Sequence, residues 1–301
     1  MTICYGVNKN LQFLKPDALW LTLNVKMQLN HERVMPNLAN NFHSLHEQKD
    51  ILILPNAWDA GSARVIEDAG AKAIATSSAG VAWALGFTDG DVMPPKLLAE
   101  LTARITNAIS IPLSVDFEGG YTKNPQKIGE NLKPVTDAGA VGINIEDGEG
   151  TPELLARKIE KARQAAEILG VNVFINARTD VYLAEIGSPE SRIGETIERA
   201  ARYREAGANG IFVPGLSETA DIQAIAPEIK MPLNVMAVPD LPDAKGLKKL
   251  GVRRLSSGTA IPQSVWNRVA ELAKGFLATG DSKPMCKDSM PYGKLQKLFT
   301  K

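Results

Sequence analysis

Histidine and cysteine are scarce in this chain, and neither stands where an active site would be expected. The three histidines, His31, His43 and His46, fall before the first regular apolar run, and the two cysteines, Cys4 and Cys286, sit near opposite ends. Imidazole and thiol catalysis therefore have no obvious local source, and a zinc centre, which favours nitrogen and sulfur ligands, has none either. Two cysteines so far apart make a structural disulfide unexpected and fit a reducing, cytoplasmic location. No apolar stretch approaches the roughly 20 residues that a spanning helix requires, and the N-terminus lacks a charged start followed by a long apolar run. An excess of charge is also missing. Lys+Arg and Asp+Glu number 34 each, for a formal net charge of +0. Nucleic acids and anionic membranes, which both need a basic footprint, are thus not expected as partners.

What is present is a long, regular alternation. The 301 residues, 44% of them hydrophobic, match one β/α barrel of roughly 250 residues with extensions better than two separate domains. From Ile51 onward, short runs rich in Ile, Val and Leu alternate with amphipathic stretches, as parallel strands alternate with crossover helices. Eight strands are expected, at Ile51 to Leu54, Ala73 to Ser77, Pro112 to Asp116, Gly142 to Glu146, Val173 to Ala177, Gly210 to Pro214, Leu233 to Met236 and Arg254 to Ser257. The even-numbered ones follow a repeated helix end, Asp68-Ala69-Gly70, Asp137-Ala138-Gly139, Glu205-Ala206-Gly207 and Lys249-Leu250-Gly251, where glycine supplies a left-handed cap. Residues 1–41 show no clean period and read as a weakly ordered extension, 42–278 as the barrel and 279–301 as a C-terminal tail.

Active sites of such barrels gather at the C-terminal ends of the strands. Those ends are rich in oxygen. Ser114-Val115-Asp116-Phe117-Glu118 places two carboxylates at i and i+2, on the same face as the strand runs out, and Glu146-Asp147 ends the next strand. Hard carboxylates in an open site suit Mg²⁺ or Mn²⁺, although such acids also cap helices or pair with Lys and Arg. Arg178 can hold a carboxylate with its planar fork or pair internally with Asp180 or Glu146. Ser77 and Ser78 offer hydroxyls and closely spaced amides, Gly119-Gly120-Tyr121 forms a turn or a ligand-approaching segment, and Trp58-Asp59 reads as a helix start that could also line a pocket.

Six motifs in order resemble the isocitrate lyase and phosphoenolpyruvate mutase superfamily. They are Leu54-Pro55-Asn56-Ala57-Trp58-Asp59, Thr76-Ser77-Ser78-Ala79-Gly80 with Leu85-Gly86-Phe87-Thr88-Asp89, Val115 to Tyr121, Gly142 to Asp147, Ala177-Arg178-Thr179-Asp180, and Leu233-Asn234-Val235-Met236. The resemblance implies a β/α barrel whose C-terminal helix is swapped between subunits of a homodimer or homotetramer. It implies Mg²⁺ near Asp89, Asp116, Glu118 and Glu146, a substrate carboxylate on Ser77, Ser78 and Arg178, Asn234 and Trp58 in the pocket, and carbon–carbon lyase chemistry on a small 2-oxo or 2-hydroxy di- or tricarboxylate through an enolate. Arg178 and Glu146 would act in catalysis. Family lyases also carry a Lys-Lys-Cys-Gly-His type segment whose Cys donates a proton, and here the corresponding stretch, Glu146-Asp147-Gly148-Glu149-Gly150-Thr151-Pro152-Glu153, has no Cys, Lys or His. The gating Lys and Asn of the mutases and phosphonate hydrolases are missing too, Thr122 replaces a glycine, and Glu118 replaces the commoner Asp. Four readings follow: a lyase using another donor such as Tyr121, Lys123 or water; a 2-oxo diacid decarboxylase; a phosphonomutase or C–P hydrolase; and a non-catalytic 2-oxo acid binding protein.

Overall fold

The computed structural model describes residues 35–300. Cys4, His31 and most of the expected N-terminal extension lie outside the described residues. A first helix, α1 (residues 35–47), precedes the barrel. Its Met35, Ala39, Phe42 and Leu45 recur at helical spacing and pack with Leu52, Ala73, Val141 and Phe174. Those partners stand at or just before the starts of strands, so α1 plugs the N-terminal end of the barrel.

The chain then runs through β1 (Leu52–Leu54), β2 (Asn56–Ala57), α2 (Ala60–Asp68), β3 (Ile74–Thr76), α3 (Ser78–Ala84), α4 (Pro95–Ala108), β4 (Leu113–Asp116), α5 (Ile128–Asp137), β5 (Gly142–Glu146), α6 (Pro152–Leu169), β6 (Phe174–Arg178), α7 (Arg192–Glu205), β7 (Gly210–Phe212), α8 (Thr219–Ile225), β8 (Leu233–Met236), α9 (Ala244–Lys249), β9 (Arg254–Ser256) and α10 (Ala260–Thr279). All ladders are parallel. The nine strands run in the order β1-β9-β8-β7-β6-β5-β4-β3-β2. Because β1 pairs with β9 and β2 with β3, these two short pieces act as halves of one strand interrupted at Pro55. Proline has no N–H for the ladder, but its carbonyl still accepts from Ala75 N at 3.1 Å. The sheet thereby closes as a TIM-type α/β barrel. Each expected strand has its counterpart, and the first is longer than expected, resuming at Asn56 after the proline.

The four predicted helix-end glycines, Gly70, Gly139, Gly207 and Gly251, all have positive φ, the conformation that turns each helix back toward the next strand. Pro112 and Pro232 lie just outside the strands they introduce, and their carbonyls accept from Ile74 N at 2.9 Å and Ile211 N at 3.1 Å. Helix α6 shows how local signals place a functional face. Thr151 caps it, Pro152 opens it and left-handed Gly170 ends it, with Leu155, Lys158, Ile159, Ala162 and Ala166 buried along one stripe.

Helix α10 is different. Of its residues only Pro262 is buried, and Val265, Trp266, Val269, Phe276 and Leu277 are exposed. The following residues, expected as a tail, fold into α11 (Lys283–Lys287) and α12 (Tyr292–Phe299). Leu298 is buried, and its carbonyl accepts from Arg64 Nε of α2 at 2.7 Å. No helix among the described residues is long and apolar enough to cross a membrane.

Candidate active site

Residues at the C-terminal ends of β3 to β6 build a compact acidic cluster. Ladder registry aligns Asp116 with Asn144 and Glu146 with Arg178. Asp116 is buried; its Oδ2 accepts from Ser78 N at 3.3 Å, and its backbone N donates to Thr76 Oγ1 at 2.7 Å. Ser77 caps α3 by accepting from Gly80 N at 3.3 Å, which fixes the Ser78 amide toward Asp116. Arg178 Nη1 lies 2.7 Å from Glu146 Oε2, while its Nε and Nη2 donate to the two oxygens of Asp180 at 2.6 and 2.9 Å. In this state the guanidinium is therefore gripped from two sides by carboxylates, and its plane carbon stands 5.9 Å from the Phe212 ring centroid.

Regular β4 pairing stops at Asp116, and Glu118 is left-handed, with φ 48. The two-residue alternation that would put Asp116 and Glu118 on one face ends there. Glu118 Oε1 accepts from the Tyr121 hydroxyl at 2.5 Å, and Oε2 accepts from the amides of Gly90 and Asp91. Tyr121 is left-handed too, at φ 55, and its N–H donates to Asp91 Oδ1 at 3.1 Å.

Electrostatics follow from burial among like charges. Burial raises the pKa of Asp116, which Arg178 partly offsets, and raises Glu118 against the hydrogen bond from Tyr121. Glu146 is pushed well above the usual carboxylate range by burial despite its Arg178 partner. Arg178 is lowered by burial but raised more by Glu146 and Asp180, so it stays cationic. Burial and then the Glu118 charge drive the Tyr121 phenol upward, keeping it protonated.

The other expected site residues are placed less centrally. Asp89 is exposed at the rim, close enough to Asp116 to raise it electrostatically. Asp59 caps α2 reciprocally with Ser62, and Trp58 N donates to Ser62 Oγ at 3.1 Å, its ring half-buried against the core. Asn234 is fully buried inside the barrel: its amide donates to Val235 O at 2.8 Å and its carbonyl accepts from Asn176 at 3.1 Å. Asp147, the second acid of the β5 end, serves the scaffold. It accepts from Arg199 at 2.9 Å, the Tyr203 hydroxyl at 2.6 Å and Asp180 N at 2.9 Å.

Beside the cluster opens a cleft of about 690 Å³ lined by Asp91, Gly119, Lys123, Glu146, Thr151 and Lys158. Asp91 and Lys158 were not singled out by the sequence. Lys158 did carry a signal, a charge inside the apolar stripe of α6; Asp91, two residues past Asp89 in a loop, carried none.

The atoms also bear on a divalent cation. Asp116 Oδ1 is buried without a hydrogen-bond partner, a costly arrangement for an anionic oxygen unless a ligand meets it. Among the described residues, no three His, Cys, Asp or Glu side chains converge as a metal-binding group. One free carboxylate oxygen with further acids nearby fits Mg²⁺, which keeps several waters and needs only one or two protein carboxylates; Asp116 would hold it, with Glu118 and Glu146 beside it.

Fold and site together define a TIM-type barrel with an acidic, arginine-bridged centre at its C-terminal rim. Residues 42–277 match the phosphoenolpyruvate phosphomutase family, and the chain belongs to that family within the isocitrate lyase and phosphoenolpyruvate mutase superfamily. It is 34% identical over 261 residues to an uncharacterised Mycobacterium tuberculosis protein, covering 85% of this chain and 95% of that one. It is 29% identical to oxaloacetate decarboxylase 1 of Pseudomonas fluorescens, over 72% of this chain and 77% of that protein. A Burkholderia cenocepacia crystal structure, provisionally assigned as a phosphonomutase, superposes with a TM-score of 0.75 at 42% identity, covering 79% of this chain and 99% of that one.

Proposed function

We propose that this chain is an enzyme that breaks a carbon–carbon bond in a small 2-oxo or 2-hydroxy di- or tricarboxylate, with Mg²⁺ or Mn²⁺ held at Asp116, Glu118 and Glu146 and Asp89 at the rim of the same network. The observation that carries this reading is the buried, unpartnered Asp116 Oδ1 at the end of β4, within electrostatic reach of the Arg178 guanidinium at the end of β6, with β5 between them. An anionic oxygen that receives a cation and a fixed planar cation that receives a carboxylate are the two poles that an α-oxygenated acid needs.

In this reading Arg178 and the Ser77-Ser78 segment orient the substrate carboxylate with half-buried Trp58 beside them, while Asn234, fully buried inside the barrel, acts only through the layer beneath the site. The bound cation would supply Lewis-acid stabilisation of charge developing on the substrate oxygen. Tyr121, kept protonated beside Glu118, is the phenol nearest to the acidic cluster and the group able to donate a proton as the bond breaks.

The link from β5 to α6 favours one branch of this chemistry. Gly148, Glu149, Gly150 and Thr151 bring no Cys, Lys or His to the cleft, and positioned acid catalysis is worth about 10²- to 10⁴-fold. Decarboxylation of a 2-oxo diacid can draw its proton from solvent, so it is the second reading, supported also by the likeness to oxaloacetate decarboxylase. The test is turnover of purified protein with Mg²⁺ on a panel of 2-oxo and 2-hydroxy di- and tricarboxylates. Product formation abolished by chelation supports the proposal; ligand-induced stabilisation without turnover would instead identify a binding protein, and turnover confined to phosphonates a mutase or C–P hydrolase.

Assembly is part of the same reading. Exposed apolar residues on α10, and an apolar groove of about 530 Å³ lined by Ile51, Ile53, Ile66 and Ile261, support a homodimer or homotetramer in which α10 packs on a second copy.

A further inference from the structure

The segment 118–121 that carries Glu118 holds an unfavourable backbone. Glu118, Gly120 and Tyr121 all have positive φ, at 48, 83 and 55, and each non-glycine residue in that region costs roughly 1–2 kcal/mol. Something outside the segment must hold it. Asn131 Nδ2 donates to Gly120 O at 3.0 Å, Glu146 N donates to Glu118 O at 2.9 Å, and Tyr121 N–H is held by Asp91. A further tie is cationic: Lys158 Nζ donates to Gly119 O at 2.6 Å.

Lys158 does not reach the segment by chance of a flexible side chain. It sits in the buried stripe of α6, only 7% exposed, and among the described residues its ammonium makes no ion pair within 4 Å. Taking a lysine charge out of water is expensive; burial outweighs the acidic groups near it, Asp91 and Glu146, which offset that cost only in part, and Lys123 adds like charge. Gly119 marks the meeting point. A Cβ there would collide with Asp91 Oδ2 and stand 3.7 Å from Lys158 Nζ, so carboxylate and ammonium enclose the glycine closely.

We propose that Lys158 is a positioning residue: from α6 it clamps the Gly119 carbonyl and, with Asp91, holds the 118–121 segment in the strained form that presents Glu118 to the acidic centre. This rests on the proposed cation-dependent chemistry for its consequence in catalysis, but the clamp itself is separable. Lys158→Met keeps the stem packed in the apolar stripe and removes the donor.

The first readout is amide hydrogen exchange of the metal-free protein. Lys158→Met is expected to speed exchange at Tyr121 at least 10-fold while the amides of β5 and β6 keep their protection; Lys158→Arg should restore it in large part. The second is Mg²⁺ affinity by calorimetry, expected to fall about 10-fold in Lys158→Met and in Gly119→Ala. Unchanged exchange at Tyr121 in a folded Lys158→Met protein overturns the proposal, as does equal loss of protection throughout the barrel, which would make Lys158 an ordinary core residue. Should the wild type bind no Mg²⁺, the functional reading fails, and the exchange result still decides the clamp.

Discussion

Arg178 Nη1 stands 2.7 Å from Glu146 Oε2, on adjacent strands whose Cα atoms are in register. The pairing joins the cation expected to hold the substrate carboxylate to an acid expected to serve the metal. Lysine keeps the charge but loses the planar fork that also grips Asp180. Arg178→Lys is therefore expected to lower kcat/KM by about 10²-fold, corresponding to roughly 2.7 kcal/mol, with little change in Tm. Steady-state kinetics and a melting curve on one preparation check this; wild-type kinetics would remove Arg178 from substrate handling.

Asp147 shows the opposite role for an acid at a strand end. Its side chain is fully buried and satisfies Arg199, Tyr203 and Asp180 N. Asp147→Ala strips Arg199 Nη1 and the Tyr203 hydroxyl of their shared buried acceptor, leaving Arg199 only Glu195, and is expected to destabilise the fold by about 3 kcal/mol, measured by urea unfolding. Its effect on Mg²⁺ affinity, read by calorimetry under folding conditions, should be under threefold.

His46 contributes a pH dependence at the barrel's closed end, where His43 is lowered by burial as well. It stacks on Phe174 at 4.0 Å, its Nδ1 lies 2.8 Å from Phe42 O, and burial followed by the Arg254 charge lowers its pKa from 6.5 to about 3. Between those values the unfolded chain binds a proton that the folded one refuses, so this contribution to stability is complete above pH 6.5 and is lost as pH falls toward 3. Thermal unfolding between pH 7 and pH 5 should show a falling Tm in the wild type and a shallower slope in His46→Gln. Parallel slopes would show that other groups dominate.

Helix α10 gives an assembly test. Trp266 is 41% exposed on a helix that buries only Pro262 among its own residues. Light scattering is expected to give a dimer or tetramer for the wild type and a smaller species for Trp266→Glu; a monomeric wild type would contradict the helix exchange.

Much of this architecture was legible in the sequence because its signals are local. The helix-end glycines, the apolar strands and the order of motifs each depend on a few neighbouring residues. The break at Pro55 was not, since Leu52–Leu54 already looked like a finished strand and only pairing on both sides reveals Asn56–Ala57 as its continuation. The site divides similarly. Strand-end position placed Asp116, Glu146 and Arg178 at the ends of β4, β5 and β6, where they lie, but an i, i+2 spacing could not foresee that left-handed Glu118 leaves the strand alternation. Asp91 and Lys158 meet at Gly119 from a loop and a helix far apart in sequence, a contact that only tertiary packing creates.

Cation-dependent carbon–carbon cleavage is measured by following ¹³C-labelled oxaloacetate, malate and methylisocitrate by NMR with purified protein and Mg²⁺. At least one acid is expected to lose a carbon–carbon bond at a rate stopped by chelation and reduced at least ~10³-fold in Asp116→Ala. Cleavage that persists unchanged with Mg²⁺ removed, or in Asp116→Ala, would contradict the proposed function.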